Sequence, residues 1–293
     1  LPFLPLPASE ESLREKYPHY FLQVSTYLLL FRLLPDYSQK QVLGELRFAD
    51  VSGGGFIQTI PIEPCDDIAL EEQIKVLLEF LEERYSSRQR LSALSFNKPF
   101  ETLREGQNET QVCLEQSFAT APVTLFEAPT GFGKTGTALS FGLERLRDGF
   151  CDRILYLTSK TTGQDEVLRT LEKMIPADCG FHYLCLRNRT ERNIGFEDLE
   201  HLSEQELVRR WKSAALNPLD LFHGGTIPEE NLIESAKHVG IPPYEIIRAC
   251  LPFAELWLGD FNYVFQPRST SVFREVEDFI PARSLLVIDE AHN

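Results

Sequence analysis

Residues Val123–Thr135 read VTLFEAPTGFGKT, and the fold turns on how this stretch is understood. The apolar run Val123–Phe126 has the look of a short buried strand. Pro129, Gly131 and Gly133 then break it, and Lys134-Thr135 opens a helical pattern reaching about Arg147. A strand, a glycine loop and a helix in this order form a phosphate-binding loop. Gly131 and Gly133 let the backbone curl with its N–H groups turned inward, where a Cβ would interfere. Thr130, Gly131, Gly133, Lys134 and Thr135 are therefore the candidate phosphate-binding residues. Lys134 supplies a point charge and Thr135 a hydroxyl ligand for Mg²⁺, while the helix directs its positive end at the same anion. Ala128 stands where the simplest form of the motif has its first glycine.

Outward from the loop, strands alternate with helices: Arg153–Thr158, Phe181–Leu186, Glu255–Gly259 and Ser284–Ile288 are the further strand candidates. That alternation is the grammar of a parallel α/β sheet. The interval from about 188 to 246 is polar and mostly helical, and reads as an insertion into the sheet domain. Ahead of the loop the pattern differs. Tyr20–Leu34 is apolar enough for a helix buried on most sides. Gln41–Phe48 and Phe56–Ile62 flank the turn Ser52–Gly55 as two strands. Glu71–Arg90 carries Ile74, Leu77, Leu78, Leu81 and Tyr85 at helical spacing. The expected organisation is a small α+β domain over residues 1–95, then an α/β domain over 96–293.

The 293 residues are 43% hydrophobic and 25% charged, as in globular proteins, and no apolar run approaches membrane-spanning length. A net charge of −15 argues against a uniformly basic nucleic-acid coat, though not against a local basic groove. Six cysteines, at 65, 113, 151, 179, 185 and 250, show no paired spacing, which suits free thiols in a reducing cytoplasm.

Ser284–Asn293, SLLVIDEAHN, supplies a second chemical signal. An apolar strand delivers Asp289 to its carboxyl end, where α/β sheets place their ligands. Asp289 there can hold Mg²⁺, and Glu290 can orient or deprotonate the water that attacks a γ-phosphate. On Thr158–Thr162 the hydroxyls and Lys160 suit contacts to a phosphate backbone, although such a loop, read alone, is more often a turn or helix cap.

EAPTGFGKT together with IDEAH resembles the paired nucleotide motifs of superfamily-two helicases, and the surrounding sequence resembles the XPD/DinG-like group. Arg104-Glu105-Gly106-Gln107 is similar to that group's RxxQ element, which implies that Arg104 and Gln107 bind the nucleotide, with Gln107 on the adenine edge. YLTSKTTGQ, Tyr156–Gln164, resembles its motif Ia, which implies single-stranded DNA contacts from Thr158, Lys160 and Thr161. DFNYVFQP, Asp260–Pro267, resembles the tract ahead of its DEAH box. The resemblance covers roughly residues 96–293 and implies a RecA-like P-loop NTPase domain of a DNA-repair type helicase, with ATP and Mg²⁺ as ligands.

Two departures stand out. The group often carries a four-cysteine iron–sulfur site between these motifs, whereas this interval has Cys179, Cys185 and Cys250, so no cluster is expected. The chain also stops just past DEAH, so the second motor domain, with its transition-state arginines, is expected to be missing and the fragment weakly active alone. Gln23–Tyr27 matches the QxxxY element of RecB-like PD-(D/E)xK nucleases, which implies a nuclease remnant in residues 1–95. The rival readings are a nucleotide-dependent scaffold for DNA or protein, and a loader for an associated nuclease.

Overall fold

The computed structural model describes residues 7, 9–37, 39–50, 57–102, 104–214, 216–266, 271–276 and 278–291. The chain divides into two compact units, Leu1–Glu83 and Arg84–Asn293.

In the first unit, Ser9 caps helix α1 (Glu10–Lys16), its hydroxyl accepting from the Ser12 amide at 3.2 Å. Pro18 opens helix α2 (Pro18–Leu33), where a missing N–H costs nothing. Strands β1 (Glu45–Ala49) and β2 (Ile57–Pro61) form an antiparallel hairpin, and helix α3 (Pro64–Ser92) follows. The expected turn Ser52–Gly55 and Phe56 lie outside the described residues. Alternate hairpin residues Leu46, Phe48 and Ile60 meet Leu13 and Phe21 in a small core. Arg14 ties α1 to the start of α3 through Asp66 and donates to the Pro61 carbonyl at 3.0 Å.

One expectation for this region needs correction. Helix α2 is not buried on most sides: Phe21, Ser25 and Leu28 are buried, while Tyr27, Leu30, Phe31 and Leu33 are exposed. Apolar composition set the expectation, but this core is only one helical stripe wide. On α3 the stripe of Leu77, Leu78, Leu81 and Tyr85 is likewise exposed. Periodicity identified the helix and not the face it covers.

The second unit is built on a four-stranded parallel sheet in the order β4-β5-β3-β6. Helices α4 (Gln107–Thr120) and α5 (Lys134–Arg147) lead to β3 (Arg153–Thr158), α6 (Thr161–Met174) and β4 (Tyr183–Cys185). The short α7 (Arg189–Arg192) precedes α8 (Glu204–Ala214), α9 (Glu229–Val239) and α10 (Pro243–Cys250). Strand β5 (Leu256–Asp260), the single turns α11 (Asn262–Phe265) and α12 (Ser271–Arg274), and β6 (Ser284–Ile288) complete it. Fold class is as the sequence implies: mixed α/β with a parallel sheet.

Period-two alternation splits the core between the sheet's two faces. Ile154, Tyr156, Leu256 and Leu258 join Leu139 and Leu143 of α5 and Val167 and Leu171 of α6. Leu155, Leu184 and Trp257 point the other way, into a cluster with Leu232 of α9 and Ile246, Ile247 and Cys250 of α10. The helical interval read as an insertion thus supplies the layer on the sheet's second face.

At the amino end of β3, Arg153 is 2% exposed and would be costly without partners. It donates to both Asp278 oxygens at 3.0 and 2.8 Å and lies over the Trp257 ring at 4.2 Å. Arg84 bridges Asp278 at 3.0 Å and the buried Glu255 at 3.2 Å. Glu255 also accepts from Ser87 Oγ and, at 2.7 Å, from the His182 amide. Four charges are neutralised pairwise here. Burial lowers the Arg153 pKa to about 10 against the opposing pull of Asp278, so the guanidinium is charged at neutral pH.

The run Val123–Phe126 is not a strand, contrary to expectation. Strand β6 pairs with β3 alone among the described strands, and nothing described flanks residues 123–126 to pair with them. Val123 is 75% and Leu125 91% exposed. A sequence fit to a buried strand becomes one only where a neighbouring strand receives it. Among the described residues no helix is long and apolar enough to cross a membrane.

Candidate functional site

The loop after Phe126 makes a tight turn, with the Phe132 amide donating to the Pro129 carbonyl at 3.2 Å. Gly131 and Gly133 sit at φ +81° and +90°, a region that a side chain would strain. Gly133 is the N-cap of α5 and offers no side-chain cap, so the first amides of the helix have no acceptor within it. A 14-residue helix opening this way, behind a left-handed glycine, leaves amides from which an anion can accept. Among the described residues a Cβ on Gly131 would meet just the Arg104 guanidinium at 3.8 Å, an ordinary contact, so this glycine is required by its φ and not by crowding.

Lys134 folds back to donate to the Ala128 carbonyl at 3.1 Å. Thr135 is buried, and its hydroxyl donates to Glu166 Oε1 of α6 at 3.4 Å. Asp289 follows β6 directly, its amide donating to the Leu157 carbonyl of β3 at 2.9 Å. Its carboxyl is raised above the usual carboxylate range, first by burial and then by the charges of Glu290 and Glu166, with Lys134 opposing. The segments of Lys134 and Asp289, 155 positions apart in sequence, thus meet on one strand: α5 packs against β3, and the Asp289 amide is bonded to Leu157 of β3. Glu290 is a non-glycine residue at φ +54°, and its amide donates to Asp289 Oδ1 at 3.0 Å. Strain of this kind concentrates at functional positions. His292 of the DEAH run lies outside the described residues.

These groups fit Mg²⁺ bound with an oligophosphate. Among the described residues no cluster of three or more His, Cys, Asp or Glu is arranged to hold a metal by itself. Mg²⁺ does not ask for one, since it keeps several waters and takes one or two carboxylates plus substrate phosphates. Thr135 and Asp289 are the residues that would hold it.

The remaining expected residues divide into three groups. Gln107, 1% exposed at the head of α4, accepts from the Arg104 amide at 2.9 Å and donates to the Phe132 carbonyl at 2.6 Å. Its amide thus joins the RxxQ segment to the phosphate loop. Thr158 is buried and its hydroxyl donates to the Lys160 carbonyl at 3.0 Å, shaping the turn out of β3. Lys160 and Thr161, at the exposed start of α6, face solvent on the sheet edge that carries Asp289. Three participants were not singled out from sequence: Glu166, Phe100 against the loop glycines, and Tyr156. Tyr156 is 1% exposed, and its hydroxyl is raised well above the tyrosine range by burial and then by Asp289. Only the glycine at Gly136, inside a helix, hinted at the packing around Phe100.

Residues 183–293 match the DEAD_2 family model, a match that runs from β4 through Asp289 and Glu290. It supports a helicase-type nucleotide-binding domain. Among solved structures, one described as an XPD helicase is similar at 21% identity and a TM-score of 0.48. That similarity covers 66% of this chain and 33% of the other, so the chain spans about a third of that structure's length. No curated protein matches.

The raised carboxyl yields a prediction with a definite sign. A carboxyl whose folded pKa exceeds its unfolded one favours the folded state at low pH, and that advantage is lost as pH rises through the folded pKa. Ionised Asp289 therefore costs stability at neutral pH. Asp289→Asn is expected to melt at a higher temperature than the unsubstituted protein at pH 8, with the difference closing toward pH 4. The same variant should lose the extra stabilisation that Mg²⁺ adds to ATP, as thermal melts with and without EDTA would read.

Proposed function

We propose that the second unit binds Mg·ATP and is the first motor domain of an ATP-dependent, XPD/DinG-like superfamily-two DNA helicase. One observation carries this reading: the uncapped, glycine-led start of α5, with Lys134 and Thr135, belongs to the helix packed on β3, the strand whose Leu157 carbonyl accepts from the Asp289 amide at the end of β6. Lys134 and the amides of residues 131–136 bind the phosphates. Thr135 and Asp289 hold the cation, and Glu290 takes the proton of the attacking water. Bound Mg²⁺ supplies charge neutralisation on the transferring phosphoryl group. Arg104, beside Gly131, and Gln107 serve the base. Lys160 and Thr161 meet single-stranded DNA, with Thr158 supporting their turn. The family match over residues 183–293 supports the helicase class.

In this reading a second sheet domain completes the motor, and unwinding belongs to the full-length protein. A nuclease origin for residues 1–95 rests on Gln23 and Tyr27, which meet on the exposed side of α2 with Gln23 Nε2 donating to Tyr27 Oη at 3.1 Å. The test is ATP turnover by the full-length protein with and without single-stranded DNA. Turnover is expected to rise several-fold with the DNA and to vanish in Lys134→Ala. Nucleotide binding with no response to any single strand would leave a nucleotide-dependent scaffold instead of a helicase.

A further inference from the structure

Gly133 owes its glycine to a positive φ, but Gly136 does not. It lies in the first turn of α5 with no positive φ, where glycine is roughly 1 kcal/mol worse than alanine. Close approach explains it. A Cβ on Gly136 would lie 2.6 Å from Phe100 Cζ and 2.9 Å from Pro99 Cβ. A Cβ on Gly133 would lie 2.5 Å from the same Phe100 Cζ and 3.0 Å from Gln107 Nε2. The tip of one ring thus occupies the notch between two glycine α-carbons, one ending the phosphate loop and the other starting the helix. Gln107 holds the intervening turn by the Phe132 carbonyl.

We propose that Phe100 is a positioning residue for the phosphate-binding loop: wedged against Gly133 and Gly136, it fixes the loop-to-helix junction so that the α5 amides converge on an oligophosphate. This rests on the nucleotide reading above and adds a role that faces the phosphates through the backbone, not the base. The loop's glycines and the ring form one unit, so changes at either should couple.

The test is a double-substitution cycle of Phe100→Ala and Gly136→Ala, with affinities measured for inorganic tripolyphosphate and for Mg·ATP. Phe100→Ala is expected to weaken both ligands by the same factor, about tenfold. Gly136→Ala should damage binding beside Phe100 and cost clearly less beside alanine at position 100, where the ring clash is gone and only Pro99 Cβ, at 2.9 Å, must give way. If Phe100→Ala fails to fold, Gly136→Ala alone still reads the wedge through tripolyphosphate affinity. Loss of Mg·ATP affinity with tripolyphosphate unchanged would assign the ring to the base and overturn the proposal. So would a lower melting temperature with both affinities intact, or additive effects in the cycle. If the unsubstituted protein binds neither ligand, the nucleotide reading itself falls, and this proposal with it.

Discussion

Lys134→Ala is expected to weaken Mg·ATP binding about a hundredfold while leaving the protein folded, a loss of ~2.7 kcal/mol. The affinity loss follows from position. Lys134 is the first residue of α5, between a left-handed glycine and Thr135, where its charge adds to the uncapped amides at the positive end of the helix. The fold should tolerate the change because the bond that Lys134 makes, to the Ala128 carbonyl at 3.1 Å, joins two residues of one partly exposed loop. Removing a half-exposed lysine of that kind costs at most about 1 kcal/mol. A fluorescence titration with labelled ATP, beside a thermal melt, separates the two effects. Equal affinity in both proteins would mean that the lysine meets no phosphate.

Arg153→Met is expected to have the opposite profile, with a large loss of stability and little direct effect on ligand contacts. The side chain is 2% exposed and answers Asp278 with two hydrogen bonds. Among the described residues, replacing it leaves that carboxylate with Arg84 alone, and Arg84 already serves Glu255. Breaking a buried pair from one side typically costs about 3–5 kcal/mol. In a unit of this size that lowers the melting temperature by roughly 10 °C. Arg153→Lys keeps the charge but loses the planar guanidinium that reaches Asp278 through Nη2 and the Leu251 carbonyl through Nη1 and stacks over Trp257, so it should recover only part of the loss. A melting temperature within a degree or two of the unsubstituted protein would show that the network does not hold the strand.

How much of this could be read from residues alone depended on where each signal originates. Strand β3 was legible because its centre, Ile154–Leu157, is a continuous apolar run buried on both faces. The loop glycines were legible because their φ values are local requirements. Val123–Phe126 has similar local chemistry, yet strand formation needs a partner, and β6 offers none to it among the described residues. The stripe on α3 marked a helix but could not say that Leu77 and Tyr85 would stay exposed. Phe100 acts on residues more than thirty positions away, a contact no periodicity encodes. Arg153 carries no signal in the sequence beyond standing at the start of a strand. Its importance lies in Asp278 and Arg84, brought together only by the fold.

The most direct measurement is amide hydrogen exchange over residues 127–138 with and without saturating Mg·ATP. If the start of α5 is the phosphate site, the amides of Gly131, Gly133, Lys134, Thr135 and Gly136 slow markedly on adding the nucleotide and do not slow in Lys134→Ala. Saturable nucleotide binding with these amides unprotected, or with protection confined to another part of the chain, would contradict the account at its centre.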